Sequence, residues 1–417
     1  HGGVAGADDR SALRGAFLLI RMVWSAWLGA VLVVAGVAAE SDSTLGRIVS
    51  YDAADGPAVL VRLSPGSPLV ALRLSIPIPS EGGMESAAGV LQALAADGFH
   101  NGAAELGASA SITRTATHAI YRIVGPRSSF DQMAALLRRA VSWPGVESRH
   151  IDAAAARALH GQLASLETPA LRIRHQLRRE LFSSPTSATV LDGVRQPPDP
   201  AGLEWFWRRY YVPQRMAVVV VGDVSPEVAV SAFRGWPTPP PAGPPPSTAG
   251  EIRRVAPEVI FPWAGLGYEG EGMDPAVLMI VAVLVERQLR VAGVRGGTAE
   301  YWWNGGAGGL VVIGSVDGNS GQATPSSRLR RAVVDAAATA GPSTVAEARR
   351  ALRHSLLFSA RTPQGLAELI GDFYDRTGDP DAANAFLRRL RAVDPPAVQR
   401  ALRTLADSSP RLVELSP

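Results

Sequence analysis

The 417-residue sequence contains neither cysteine nor lysine. Without cysteine there are no disulfides, thiolate metal sites or cysteine nucleophiles, and no lipidated cysteine of the bacterial lipoprotein kind. Without lysine there is no P-loop, whose phosphate-contacting residue is a lysine. All 41 basic residues are arginine, and Ala, Gly and Pro are abundant, which reads as the codon bias of a GC-rich genome. Histidine is scarce. No two of His1, His100, His118, His150, His160, His175 and His354 stand three to five residues apart, so no helical histidine pair is offered to a metal. His150 and His160 could share a helix but would lie about 15 Å apart along it.

What is present argues for a folded chain. Hydrophobic residues make up 47% and charged residues 19%, which excludes disorder, and the length suits two domains of roughly 150 to 200 residues. The isoelectric point of about 9.6 accompanies a formal charge of only +3. The arginines are scattered along helical patterns, so they read as a solvated surface and no nucleic-acid partner is expected.

Residues 1–39 hold an almost purely apolar run, Ala16 to Ala39, with Arg10, Arg14 and Arg21 near its start and small residues at its end. It reads as a secretory signal peptide or, if uncleaved, an apolar anchor that is the chain's one route to a membrane. Either reading sends the remainder across the inner membrane, to the periplasm.

Residues 237–249 form a Pro-rich linker, because proline at this density suits neither a helix nor a central strand. It separates residues 44–236 from 250–417, and the two parts echo one another. Gly83-Met84-Glu85 recurs as Gly272-Met273-Asp274, and Leu137-Arg138-Arg139-Ala140-Val141 as Leu329-Arg330-Arg331-Ala332-Val333. Thr168-Pro169 recurs as Thr362-Pro363, Asp199-Pro200 as Asp394-Pro395 and Pro213 as Pro410, with offsets growing from 189 to 197. One such match is chance-level in a biased composition; five in the same order indicate a duplicated domain.

Periodicity supplies the elements. Strands are expected at Ala58–Leu63, Leu69–Ile76, Ser109–Thr113, Ala119–Val124, Met216–Val221, Val259–Trp263, about Thr298–Trp303, Leu310–Ser315 and Arg411–Leu415. Helices are expected at Ser86–Ala96, with Gly98 as a stop, and at Phe130–Val141, Glu147–Leu166, Ala170–Phe182, Leu203–Tyr211, from Pro275, and over most of Leu329–Leu405. The fold class is therefore α+β, two tandem homologous layer-sandwich domains, each a mainly antiparallel sheet packed with helices.

The order strand, Gly-Gly-Met-Glu, helix, then Arg208-Arg209-Tyr210-Tyr211-Val212-Pro213 leading into Val218-Val219-Val220-Val221-Gly222-Asp223-Val224, resembles the pitrilysin and mitochondrial-processing-peptidase superfamily of zinc peptidases. The resemblance implies a helix bearing H-x-x-E-H, with two imidazoles on Zn²⁺ and a carboxylate as base. Those positions fall on Gln92, Ala95 and Ala96. The third ligand implied by the family, a glutamate some seventy residues on, falls in Asp152 to Glu167, which has no acid between its ends. No catalytic residue of its own and no metal are therefore expected here.

In two-subunit members the zinc-free subunit lends an Arg and a Tyr from its C-terminal half. Arg295 and Tyr301 resemble that pair, with Arg290 as an alternative for the first. The resemblance implies a zinc-bearing homologous partner in a heterodimer and a peptide substrate. A stand-alone peptide-binding or scaffold protein of the envelope is the other reading. Gly265-Leu-Gly267-Tyr-Glu-Gly270 fits G-x-G-x-x-G, but no helix opens at its third glycine, so no dinucleotide is expected. These glycines read instead as the counterpart of Gly82 and Gly83. No G-x-S-x-G occurs.

Overall fold

The computed structural model describes residues 45–417 except 53–54, 79–84, 116, 144, 146–147, 183–192, 196–198, 245–251, 255–258, 305–306 and 317–323. The expected N-terminal signal or anchor, Glu81–Met84 and the end of the Pro-rich run lie outside the described residues. Residues 44–417 form one compact unit.

The elements run β1 (Val49–Asp52), β2 (Ala58–Leu63), β3 (Leu69–Pro77), α1 (Glu85–Glu105), β4 (Ser109–Arg114), β5 (His118–Pro126), α2 (Phe130–Val141), α3 (Ser148–Glu167), α4 (Pro169–Phe182), β6 (Gly193–Arg195), α5 (Pro200–Tyr210), β7 (Ala217–Gly222) and α6 (Pro226–Phe233). They continue as β8 (Ile252–Arg254), β9 (Trp263–Glu269), α7 (Pro275–Val291), β10 (Arg295–Asn304), β11 (Ala307–Ser315), α8 (Pro325–Thr339), α9 (Pro342–Ser359), α10 (Pro363–Thr377), α11 (Ala382–Ala392), α12 (Pro395–Asp407) and β12 (Arg411–Leu415). Proline at the first helical position recurs because its missing N–H would be unsatisfied there anyway. The preceding Asp199, Ser225, Asp274, Thr324 and Thr362 each cap a helix through their side chains.

Two main sheets result, ordered β1-β2-β7-β3-β5-β4 and β10-β11-β9-β12. Both are antiparallel apart from the β2–β7 pairing. β7, a run of valines, is buried throughout, as a central strand covered on both faces must be.

Each half lends the other a helix. One face of the first sheet packs on α1, α2, α5 and α6 through Leu74, Phe99, Leu137, Phe206 and Phe233. Its opposite face, Leu60, Ala71, Val219 and Val221, is covered by Leu366 and Ile370 of α10 and Leu387 of α11. The second sheet packs on α7, α8 and α12 on one side. On the other, Val311, Ile313 and Val413 meet Ile173 and Leu177 of α4. The exchanged helices α4 and α10 begin at the repeated Thr168-Pro169 and Thr362-Pro363.

Three expectations are corrected. α1 runs through Gly98 to Glu105, because Phe99 and Ala103 bury one more turn's worth of apolar surface and outweigh a mid-helix glycine. The strand placed at Val259–Trp263 lies at Trp263–Glu269 instead; Ile260 and Phe261 are exposed, and pairing with both β11 and β12 fixes the later segment. Gly265 and Gly267 lie inside that strand rather than in a turn like the one expected of Gly82 and Gly83. A Cβ on Gly265 would stand 2.8 Å from Leu177 Cδ1 and one on Gly267 2.9 Å from Leu181 Cδ1, so bare backbone is what admits α4.

Candidate functional site

α1 carries the three motif positions, and its Gln92 end lies on a surface shared with β4 and α3. Gln92 is half-buried, and its Nε2 donates to the Thr113 carbonyl of β4 at 2.8 Å. One turn earlier a Cβ on Gly89 would meet Arg114 Nη1 at 3.4 Å, Ala158 Cβ at 3.5 Å and Gln162 Nε2 at 3.7 Å. What faces this part of α1 from α3 is therefore a methyl and an amide, not a carboxylate. Asp152 and Glu167, at the ends of α3, are exposed.

Ala95 borders a different space, a cavity of about 410 Å³ between α1, α2 and the end of α5, lined by Leu94, Phe99, Leu136, Trp207 and Tyr211. A smaller one of about 240 Å³, reaching Trp143 and Trp236, shares Trp207 and Tyr211 with it. Beneath them the hydroxyls of Tyr121 and Tyr211 lie 3.4 Å apart. Burial pushes Tyr211 up to about 12 and raises Tyr121 well above its ordinary value, so both phenols stay protonated.

The amide of Gln92 is bound to backbone, and Ala95 and Ala96 offer no lone pair. Among the described residues no group of three or more His, Cys, Asp or Glu is placed to hold a metal.

In the second half Arg295 opens β10 and Tyr301 lies well along it; past the bulge between Arg295 and Thr298, the strand holds their backbones about 16 Å apart and does not bring them together. Arg295 lies over the Phe261 ring, 5.8 Å from its centre. Tyr301 is half-buried against the second core, and burial pushes its phenol up to about 12, leaving a neutral donor. Arg290, in the last turn of α7, pairs with Glu286 at 3.3 Å.

Pattern reading missed a larger feature, the polar seam between the halves. Arg73, 1% exposed on β3, bonds Asp372 and Asp375 at 2.9 and 2.8 Å and Glu368 at 3.3 Å, all three acids on α10. Burial alone would lower the Arg73 pKa, but the three carboxylates outweigh it and hold the value up. A charged residue inside the apolar run Leu69–Pro77 was the available signal. On the other side, Arg174 of α4 grips Glu300 of β10, whose carboxylate also accepts from Trp302 Nε1 at 3.1 Å.

These features define a class: a two-sheet α+β scaffold whose α1 carries Gln92, Ala95 and Ala96, and neither imidazole nor carboxylate, at the three motif positions. The sequence profile described as the peptidase M16 inactive domain matches residues 201–289, the stretch that includes Arg208 to Val224. The structure is similar to the peptidase M16 inactive domain from Pseudomonas fluorescens, with a TM-score of 0.71 at 15% identity over 88% of this chain and 97% of that one. It is also similar to a protease from Helicobacter pylori, with a TM-score of 0.70 at 12% identity over 89% and 100% of the two chains. No curated protein sequence matches it. The pitrilysin (M16) resemblance read from the sequence is thus supported: residues 201–289 match that family's inactive-domain profile, and the scaffold has the fold of the M16 structures, with Gln92, Ala95 and Ala96 where the resemblance puts H-x-x-E-H.

Proposed function

We propose that this chain is the non-catalytic subunit of a two-subunit, secreted or periplasmic, processing-type metalloendopeptidase. It forms half of a peptide-holding chamber, and a homologous partner supplies the zinc. The observation that carries the reading is the substitution of all three motif positions, as Gln92, Ala95 and Ala96, within a helix that keeps its packing on β4 and α3. Losing the ligands while keeping the scaffold suits a chain retained for its shape.

Tyr301, neutral well above physiological pH, is the stronger of the two residues for donating to a peptide carbonyl. Arg295 would act at a separate point on the peptide, given the length of β10 between them. The test is metal content and peptidase activity of the chain, alone and with whatever co-purifies from its host. Chelator-sensitive cleavage by the chain alone would sink the proposal. Recovery without any H-x-x-E-H protein would favour the stand-alone scaffold.

A further inference from the structure

We propose that the cavity of about 410 Å³ between α1, α2 and the end of α5 binds a neutral, fused-ring aromatic ligand that carries a carbonyl at one edge. The site is independent of any partner subunit. α1 shapes it with two glycines one turn apart on the same face. At Gly102 a Cβ would stand 2.8 Å from Leu136 Cδ1, so bare backbone is what lets α2 pack there. At Gly98, which lines the cavity, no atom lies within 4 Å of such a Cβ. Packing explains the first glycine and not the second. A mid-helix glycine weakens its helix, and what this one gains is open space.

The walls suit flat rings. Leu91, Phe99, Leu136 and Tyr211 line the space and are buried, with Trp207 half-buried beside them. Trp207 is held in place, its Nε1 donating to the Val141 carbonyl at 2.9 Å and its ring centre lying 5.7 Å from that of Trp143. Phe99 meets the Tyr121 ring edge-on at 6.1 Å. Walls fixed in this way spare a ligand the cost of ordering them. An apolar cavity of about 150 Å³ admits benzene, so this volume admits two or three fused rings.

The carbonyl follows from counting protons. Among the described residues the hydroxyls of Tyr121 and Tyr211, 3.4 Å apart, have each other as their one hydrogen-bond partner. Two phenols carry two protons, and the pair uses one of them. With Tyr121 donating to Tyr211, the proton left over sits on the tyrosine that lines the cavity. A ligand carbonyl accepting from it completes a chain of two hydrogen bonds. A neutral acceptor suits the space better than a carboxylate. The exposed lining residues Glu105 and Arg139 carry opposite charges that offset each other, and an unpaired carboxylate among apolar walls is costly to bury.

The test titrates the intact chain with prodan, a neutral fluorescent naphthyl ketone, and with dimethylaminonaphthalene, the same ring system without the ketone. Prodan emission should shift to the blue and saturate, and the ketone should bind about two- to tenfold tighter than its parent ring, the worth of one hydrogen bond. Gly98→Leu puts a side chain into the space and should weaken prodan at least about tenfold. Gly161→Leu, on α3 and equally without an atom within 4 Å of its Cβ, should change nothing. Tyr211→Phe should bring the ketone down to the affinity of its parent ring. Should Gly98→Leu misfold in thermal unfolding, Gly98→Ala carries the test with a smaller loss. The site is overturned by the absence of a saturable shift in the unaltered chain, or by a shift that the Gly98 variants leave intact. Equal binding of ketone and parent ring, or a ketone preference that survives Tyr211→Phe, overturns the carbonyl's bond to the phenol.

Discussion

Arg73 stands directly opposite Arg122 across the β3–β5 ladder, a pairing that repels unless something lies between them. Glu368 does, accepting from Arg122 Nη2 at 3.0 Å and from Arg73 Nε, while Asp375 takes both Arg73 and the Ser75 hydroxyl, the latter at 2.6 Å. The carboxylates therefore depend on Arg73 as much as it depends on them. Replacing it with an apolar residue, as in Arg73→Met, should cost about 3–5 kcal/mol in urea unfolding. Gly371→Ala tests the same contact from the helix. Its Cβ would stand 2.6 Å from Arg73 Cζ, so a loss of about 1–3 kcal/mol is expected although one methyl is all that is added.

Glu300 gives the pH counterpart. Burial alone would raise its pKa, but the bonds and charge of Arg174, then the indole of Trp302, hold it below the ordinary 4.5. A carboxyl depressed in the folded state contributes stability that is present above its unfolded pKa and is lost as pH falls through the folded value. Glu300→Gln should therefore be the less stable protein at neutral pH, and the gap should close as the pH drops below about 4.5. A gap that stays constant with pH in chemical unfolding would mean the pair is electrostatically idle.

At the scale of elements, what decides a glycine's worth is what lies beside it, and that was the information the sequence withheld. Gly98 has the look of a helix stop, but the helix continues, and no atom lies within 4 Å of a Cβ placed there. Gly98→Ala should accordingly stabilise by about 0.5–1 kcal/mol. Gly265→Ala should destabilise by about 1–3 kcal/mol, since the methyl must displace Ile173 and Leu177 of α4. Thermal unfolding of the two variants should move in opposite directions.

The same distinction explains what was legible. Amphipathic or β-branched segments such as Phe130–Val141, Ala58–Leu63 and Arg411–Leu415 announce themselves through local period, and the structure keeps their bounds. Equally legible was the residue type itself: Ala95 and Ala96 carry no side-chain lone pair whatever surrounds them. The seam was not. Arg73 and Asp375 lie 302 residues apart in sequence and Arg174 and Glu300 lie 126 apart, and no local pattern reports pairing at that range.

For the whole molecule, the exchange of α4 and α10 decides how the two halves depend on each other. Without α10 and α11, Leu60, Ala71, Val219 and Val221 of the first sheet would face water. Without α4, so would Val311, Ile313 and Val413 of the second. Arg73 would lose its three acids and Glu300 its arginine with the same cut. Separation thus exposes apolar sheet and strands buried charge at once, two costs that each run to several kcal/mol. Among the described residues, none of these contacts involves the Pro-rich run between the halves. Cleaving the Pro-rich run, or expressing residues 44–236 and 250–417 as two chains in one cell, should leave a complex that co-purifies and unfolds in a single calorimetric transition, with matching calorimetric and van't Hoff enthalpies. Either half expressed alone should be insoluble or largely unfolded. Two separate transitions in the intact chain, or a soluble, folded half on its own, would mean that the exchanged helices are accessories to two independent domains.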